Sequence, residues 1–262
     1  MSLRVWLPLD GDLKQQGASD LTFTAASANT TIDTAGKIGQ CYTNNSNSAG
    51  GLISDQTIDL GTNQSMCCWF KFTSLESSSS LGGAMITQHR YPNNTGMGLT
   101  IRYVSASTGY LSVNTGNGSS RTFNTYYGTT LLQANTWYHG CYTYDGENIR
   151  IYVNGVLEGT FAYPNMAAPA DYIAIFSWSL SGKSVTATIH NDYKLKGSLN
   201  DVRIYDHCLS PAEVKEISQG LVLHYKLDGP LGGAKENLLP CGGTYTQASP
   251  LTRTSNKVDG NA

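Results

Sequence analysis

Cleavage of a glycosidic bond with retention needs two carboxyl groups roughly 5 Å apart. On a strand that spacing calls for acidic residues at i and i+2. No stretch of this chain that reads as strand carries such a pair. The Glu residues are 76, 147, 158, 213, 216 and 236. Glu147 falls at a turn tip, and Glu213 and Glu216 fall in a helix. Asp10 and Asp12 have the spacing, but Gly11 between them marks a turn. The histidines at 89, 139, 190, 207 and 224 lack metal-ligand spacing, and there is no nucleophile elbow, phosphate-binding glycine loop, zincin motif or Cys-x-x-Cys. The residues therefore point away from an enzyme.

The cysteines lie at 41, 67, 68, 141, 208 and 241. Cys67 and Cys68 are neighbours on an expected strand, so they point to opposite faces and do not bridge each other easily. Free, buried thiols are expected, because a chain of this length buries a core without staples.

The residues that could recognise a ligand are aromatic. Tyr103, Tyr110, Tyr126 and Tyr127 cluster in the middle of the chain, interleaved with Arg102, Asn114, Arg121 and Asn124. Aromatic faces suit the CH surfaces of sugars, and amide and guanidinium donors beside them suit the hydroxyls. The candidate ligand-binding set is Tyr103, Tyr110, Asn114, Arg121 and Tyr126, with His89 and Trp178 at the margin. The competing reading is a sheet whose outer face is Tyr- and Thr-rich because β propensity favours those residues. Trp178 alternates with small polar residues in Phe-Ser-Trp-Ser, as a core residue or as a rim platform.

Composition fits a neutral sugar ligand or close protein contacts. Of 262 residues, 14% are charged, against about 25% in an ordinary domain, and the net charge is -2. Ser, Thr and Asn, at 26, 27 and 19, fill the gap. Without a basic run, nucleic acid is excluded as an electrostatic partner. No apolar run approaches the roughly 18 residues of a spanning helix, so membrane insertion by helix is not expected. The opening Met-Ser-Leu-Arg-Val-Trp has no signal-peptide h-region.

The elements that must position these groups are strands. Period-2 patterning marks them at 65–73, 83–89, 97–104, 109–115, 120–126, 137–144, 149–153, 172–178, 184–190 and 197–205. Asn154-Gly155 between apolar runs is the strongest short hairpin signal, and Asp145-Gly146 reads as a second turn of that kind. Residues 137–160 thus form a three-stranded meander. Ser210-Pro211-Ala212-Glu213 writes one helix start: Ser210 caps, Pro211 takes the first helical position, and Glu213 closes a capping box. Val214 and Ile217 form its packed face and Gly220 its stop. The expected fold class is all-β: a two-sheet antiparallel β-sandwich with one short C-terminal helix.

A repeat sets the domain organisation. Leu9-Asp10-Gly11, behind an aromatic strand, recurs as Leu227-Asp228-Gly229 behind another. The chain then reads as one module over 1–220, with 221–262 as the start of a second repeat or a linker to a following module.

The order of several segments carries a family resemblance. They are Trp-Leu-Pro-Leu-Asp-Gly at 6–11, Ala-Gly-Lys-Ile-Gly-Gln-Cys-Tyr at 35–42, Cys-Trp-Phe-Lys at 68–71, and Trp-Tyr-His at 137–139. Tyr-Asp-Gly at 144–146, Arg-Ile-Tyr-Val-Asn-Gly at 150–155, Gly-Ser-Leu-Asn-Asp-Val-Arg-Ile-Tyr at 197–205 and Leu-Ser-Pro-Ala-Glu-Val at 209–214 follow. Together they resemble the laminin-G-like, concanavalin-A-like jelly-roll family of bacterial surface and phage structural proteins. The resemblance implies two sheets of six or seven strands, one concave, with the chain ends adjacent on the convex side. Relatives often carry an Asp-rich loop after the Tyr corresponding to Tyr42. Here the loop at 44–48 is Asn-Asn-Ser-Asn-Ser, a poorer calcium donor set. The remaining calcium candidates are Asp10 and Asp201, and no other cofactor is expected.

The resulting expectation is a non-catalytic recognition module that binds a glycan or cell-surface polysaccharide, outside the cell or on a virion surface. The alternative is a structural module binding other virion or surface subunits in a tail, fibre or head decoration. A glycoside hydrolase ranks third.

Overall fold

The computed structural model describes residues 2–25, 28–46, 50–76, 81–90, 95–117, 124–164, 166, 170–177, 194–220, 235–236 and 244–245. The chain divides into two units, Met1–Gly220 and Leu221–Ala262. The second unit contributes a short antiparallel pair, Lys235–Glu236 with Thr244–Tyr245.

The first unit opens with β1 (Leu3–Leu7), β2 (Phe23–Ala25), β3 (Thr30–Asp33), β4 (Cys41–Asn44) and β5 (Leu52–Ser54). Long strands follow: β6 (Gln64–Ser74), β7 (Leu81–Arg90), β8 (Thr95–Ser105) and β9 (Thr108–Asn117). Then come β10 (Asn124–Tyr127), β11 (Leu132–Gln133), β12 (Tyr138–Tyr144), β13 (Asn148–Val153) and β14 (Val156–Ala162). β15 (Ala174–Ile175), β16 (Lys196–Tyr205) and the helix α1 (Pro211–Ser218) complete it.

The ladders between these strands are antiparallel and make two sheets. The first runs β14-β13-β12-β6-β16-β4-β3, with β1 added on β16. The second runs β10-β9-β8-β7-β15-β5-β2, with β11 added on β9. This is the two-sheet sandwich that the patterning demands. Alternation buries one side of each strand between the sheets. Phe70, Phe72, Tyr142 and Ile151 of the first sheet meet Leu99, Ile101, Leu111 and Val113 of the second in one core. Each such side chain contributes about 1.5–3 kcal/mol through apolar burial.

The turns follow local chemistry. Asn154 and Gly155 sit at φ 50° and 78°, the two positive values of a type I′ hairpin. The Asp145 turn differs from that expectation. Only Gly146 takes positive φ, and the Asp145 carboxylate accepts the N–H groups of Glu147 and Asn148 at 3.0 and 2.7 Å. The side chain substitutes for a backbone turn, which spares Asp145 the left-handed conformation.

The helix forms as its sequence specifies. Ser210 Oγ accepts from Glu213 N–H, and the Glu213 carboxylate accepts from Ser210 N–H at 2.8 Å. Val214 and Ile217 pack on the outer face of the first sheet against Cys67, Cys141, Tyr152 and Tyr205. Eight residues do not hold a helix alone, so this packing does.

Candidate functional site

The middle tyrosines are placed by the parity of three strands. Across β8 and β9, Arg102 pairs with Tyr110, Thr100 with Ser112 and Gly98 with Asn114. Across β9 and β10, Ser112 pairs with Tyr127 and Asn114 with Thr125. Paired residues share a face, so Arg102, Tyr110, Asn114 and Tyr127 all lie on the face away from Leu111 and Val113, the outer face of the second sheet.

There they form a platform. The Tyr110 and Tyr127 rings lie 5.8 Å apart, tilted by 34°. The Arg102 guanidinium sits 4.2 Å from the Tyr127 ring centre. Tyr127 is 42% exposed, high for so large an apolar ring. Along the same face the neighbouring polar groups are buried. Thr100 and Ser112 share a hydroxyl hydrogen bond of 2.7 Å, and Thr100 donates to Asn114 Oδ1 at 3.4 Å. Asn114 is fully buried, and its Nδ2 has no hydrogen-bond partner among the described residues. A buried amide donor left unpaired costs free energy, so this one marks a point of recognition or of strain.

The other two tyrosines face the opposite way. Tyr103 pairs with Gly109 and Tyr126 with Val113, which turns both toward the core. Both pack against it. Tyr126 meets Phe161 at 5.2 Å and Tyr163 at 6.0 Å, bridging the two sheets at their edge. Burial raises its hydroxyl above the ordinary tyrosine value, and Tyr163 adds to this. Of the expected set, therefore, Tyr110 and Asn114 come together, joined by Arg102 and Tyr127, while Tyr103 and Tyr126 do not join them. His89 lies on β7 opposite Gly96. Arg121 and Trp178 lie outside the described residues.

The calcium candidates are engaged otherwise. Asp201 Oδ1 accepts from Trp6 Nε1 at 2.7 Å and from Arg203 Nε at 2.9 Å, all three side chains being buried. A buried guanidinium against this carboxylate opposes a cation there. Asp10 Oδ1 accepts the Gln40 N–H at 2.7 Å. Among the described residues no three His, Cys, Asp or Glu gather as a metal site.

Other carboxylates hold loops. Glu158 accepts the N–H groups of Thr129 and Thr130 at 2.8 and 3.0 Å. Asp145 pairs with Arg150 at 2.7 Å. Asp206 accepts from Ser2 N–H at 2.6 Å and Ser2 Oγ at 3.0 Å. Partial burial works to raise Asp206, but these bonds and one from His207 outweigh it and hold the carboxyl down at about 2. An open cavity of about 570 Å³ beside Arg4, Ile58, Leu60 and Asp206 shares no residue with the platform.

Comparison with known proteins gives a consistent picture. The family model described as the concanavalin A-like lectin/glucanases superfamily matches residues 45–215. Domain 4 of AbnA, a GH43 extracellular arabinanase from Geobacillus stearothermophilus solved with arabinotriose, superposes with a TM-score of 0.61 at 18% identity, covering 84% of this chain and 100% of that one. The binding domain of Paraclostridial Mosquitocidal Protein 1 gives 0.59 at 13% identity, covering 84% of this chain and 52% of that one. The botulinum neurotoxin serotype D binding domain gives 0.58 at 15%, covering 84% and 51%. The chain thus spans about half the length of those two toxin domains. At these identities the likeness is one of fold. No curated protein sequence matches the chain.

Proposed function

The chain belongs to the concanavalin A-like lectin/glucanase superfamily, and from that premise we propose that it is a non-catalytic module that binds carbohydrate on a cell surface, as part of a phage or bacterial surface protein. The observation that carries this reading is exposed Tyr127 beside half-buried Tyr110, with Arg102 stacked on the Tyr127 ring. Two aromatic rings and a guanidinium on one sheet face suit one or two sugar rings lying across the strands. Arg121, His89 and Trp178 remain candidate ligand contacts by residue type alone. A carbohydrate ligand also agrees with the arabinotriose bound to domain 4 of the arabinanase. The proposal includes residues 221–262 as the opening of a second module.

The test is a glycan array, with linear arabino-oligosaccharides included, probed with the full chain and with Tyr127→Ala and Tyr110→Ala. Binding that falls at least about tenfold in each variant, a loss of about 1.4 kcal/mol, supports the reading. Equal binding by variant and parent places the site elsewhere, and no binding across the panel overturns the reading. Product release from a polysaccharide would instead establish a hydrolase.

One observation favours the second reading, a module that binds neighbouring protein subunits. Leu131, Val156 and Leu157 are 43%, 65% and 49% exposed, the latter two on the edge strand β14. A defined oligomer lost in a Val156→Asp, Leu157→Asp double variant, with no glycan signal, would decide for it.

A further inference from the structure

The outer face of the first sheet holds a pair of cysteines that the proposed binding site does not use. Cys67 on β6 and Cys141 on β12 are direct partners across an unbroken antiparallel ladder running from Tyr138–Phe70 to Tyr144–Gln64. Directly opposed residues in such a ladder have Cα atoms about 4.5–5.5 Å apart. Disulfides form at Cα separations of about 4.4–6.8 Å. The two side chains share one face and belong to one cluster beneath α1. The other arrangements fit less well. Cys68 points into the inter-sheet core, on the far side from Cys67, and Cys41 sits on β4, beside Thr43.

We propose that Cys67 and Cys141 are an oxidative modification site, closing to a cross-strand disulfide when the protein meets a disulfide oxidant of the oxidised-glutathione class. The Cys67 thiolate attacks one sulfur of the oxidant. The oxidant S–S bond breaks, and one glutathione leaves with the electron pair and takes up a proton. Cys141 then loses its proton and attacks the Cys67 sulfur of the mixed disulfide, releasing the second glutathione as a thiol. Two protein thiols are oxidised, and one glutathione disulfide is reduced to two thiols.

The surroundings assign the roles. A hydrogen bond from Cys141 lowers the Cys67 thiol against the effect of burial, and His139 and Arg203 add to the lowering. Burial raises the Cys141 thiol, and the neighbouring Cys67 raises it further. Cys67 is thus the attacking thiolate and Cys141 the proton-bearing partner. Both are fully buried, and their cover is the two-turn helix with Leu209, Val214 and Ile217. Opening of so short a helix gives the oxidant access without unfolding the sandwich. Half-buried Cys208 is a competing thiol in reach of Cys141 electrostatically.

The experiment takes the full chain, reduces it, and treats it with oxidised glutathione in two arms: native, and during refolding from denaturant. Free thiols are then alkylated and the peptides mapped by mass. The expected result, in at least the refolding arm, is a peptide containing Cys67 joined to one containing Cys141. That link persists in Cys208→Ser and disappears in Cys141→Ala. Alkylation of both Cys67 and Cys141 in both arms overturns the proposal, as does a link from either to Cys68 or Cys208 in their place.

Discussion

The indole N–H of Trp6 lies 2.7 Å from Asp201 Oδ1, tying β1 to β16 through side chains as well as through their ladder. Asp201 sits at φ 53°, where the register of β16 against β6 shifts. The left-handed residue aims its carboxylate at both Trp6 and Arg203. Burial works against the Arg203 charge, but Asp201 beside it outweighs this and raises the guanidinium above its ordinary value.

Asp201→Asn leaves Arg203 buried without a counter-charge, while Asn still tolerates the backbone conformation. A loss of about 3–5 kcal/mol is expected. Urea unfolding of parent and variant checks this. A change within the error of the extrapolation would show that water reaches the guanidinium.

Ser210→Ala removes the cap of α1 and costs about 1 kcal/mol. The Glu213 carboxyl is held below its ordinary value by its hydrogen bonds to the Ser210 hydroxyl and N–H, against partial burial. A depressed carboxyl stabilises the fold above its unfolded pKa, and that stability is lost as pH falls through the lower folded value. The difference between parent and Ser210→Ala should therefore be full at neutral pH and shrink below about pH 4. Thermal melts at pH 7 and pH 3 measure it, and a pH-independent difference would contradict the assignment.

Gly155→Ala strains a position at φ 78° and sets a Cβ 2.3 Å from Ser218 Oγ and 3.1 Å from Lys215 Cα. The Ser218 hydroxyl must rotate away and the helix backbone at Lys215 must give by a few tenths of an ångström. A loss of at least about 1 kcal/mol follows from the backbone conformation alone, and the displaced helix should speed alkylation of Cys141. Thiol labelling timed in parent and variant reads this directly.

Tyr126→Ala and Tyr127→Ala should separate cleanly although the residues are neighbours. Tyr126 packs between Phe161 and Tyr163, so its truncation costs about 2 kcal/mol or more of stability. In the folded fraction, glycan affinity should be unchanged. Tyr127→Ala should lose affinity and leave the melting temperature nearly in place. The reverse outcome would put the ligand at the sandwich edge.

Much of this architecture could be read from residue order. Alternation at 65–73 and 97–104 marks β6 and β8 within a few residues, because a strand buried on one face must repeat with period two. The Ser-Pro-Ala-Glu start gives α1, because its capping bonds are local. The short strands β2, β3, β5 and β11 carry no such signal. Two to four residues hold too few alternations, and their partners are found only in the sheet: β11 on long β9, and β2, β3 and β5 on strands as short as themselves.

The candidate site was legible as a composition and not as a surface. Tyr103, Tyr110, Tyr126 and Tyr127 look equivalent in sequence. The pairing of Arg102 with Tyr110 and of Ser112 with Tyr127 sorts them, two to the outer face and two to the core. In the same way Cys67 and Cys141, 74 positions apart, become neighbours only through the β6–β12 register. The sequence by itself determined the fold class, the Asn154-Gly155 hairpin and the capped helix, because these rest on local propensity and periodicity. The tertiary structure decided which tyrosines meet solvent, what Asp201 binds and which thiols touch, because register between distant strands sets the face and the partner of every side chain.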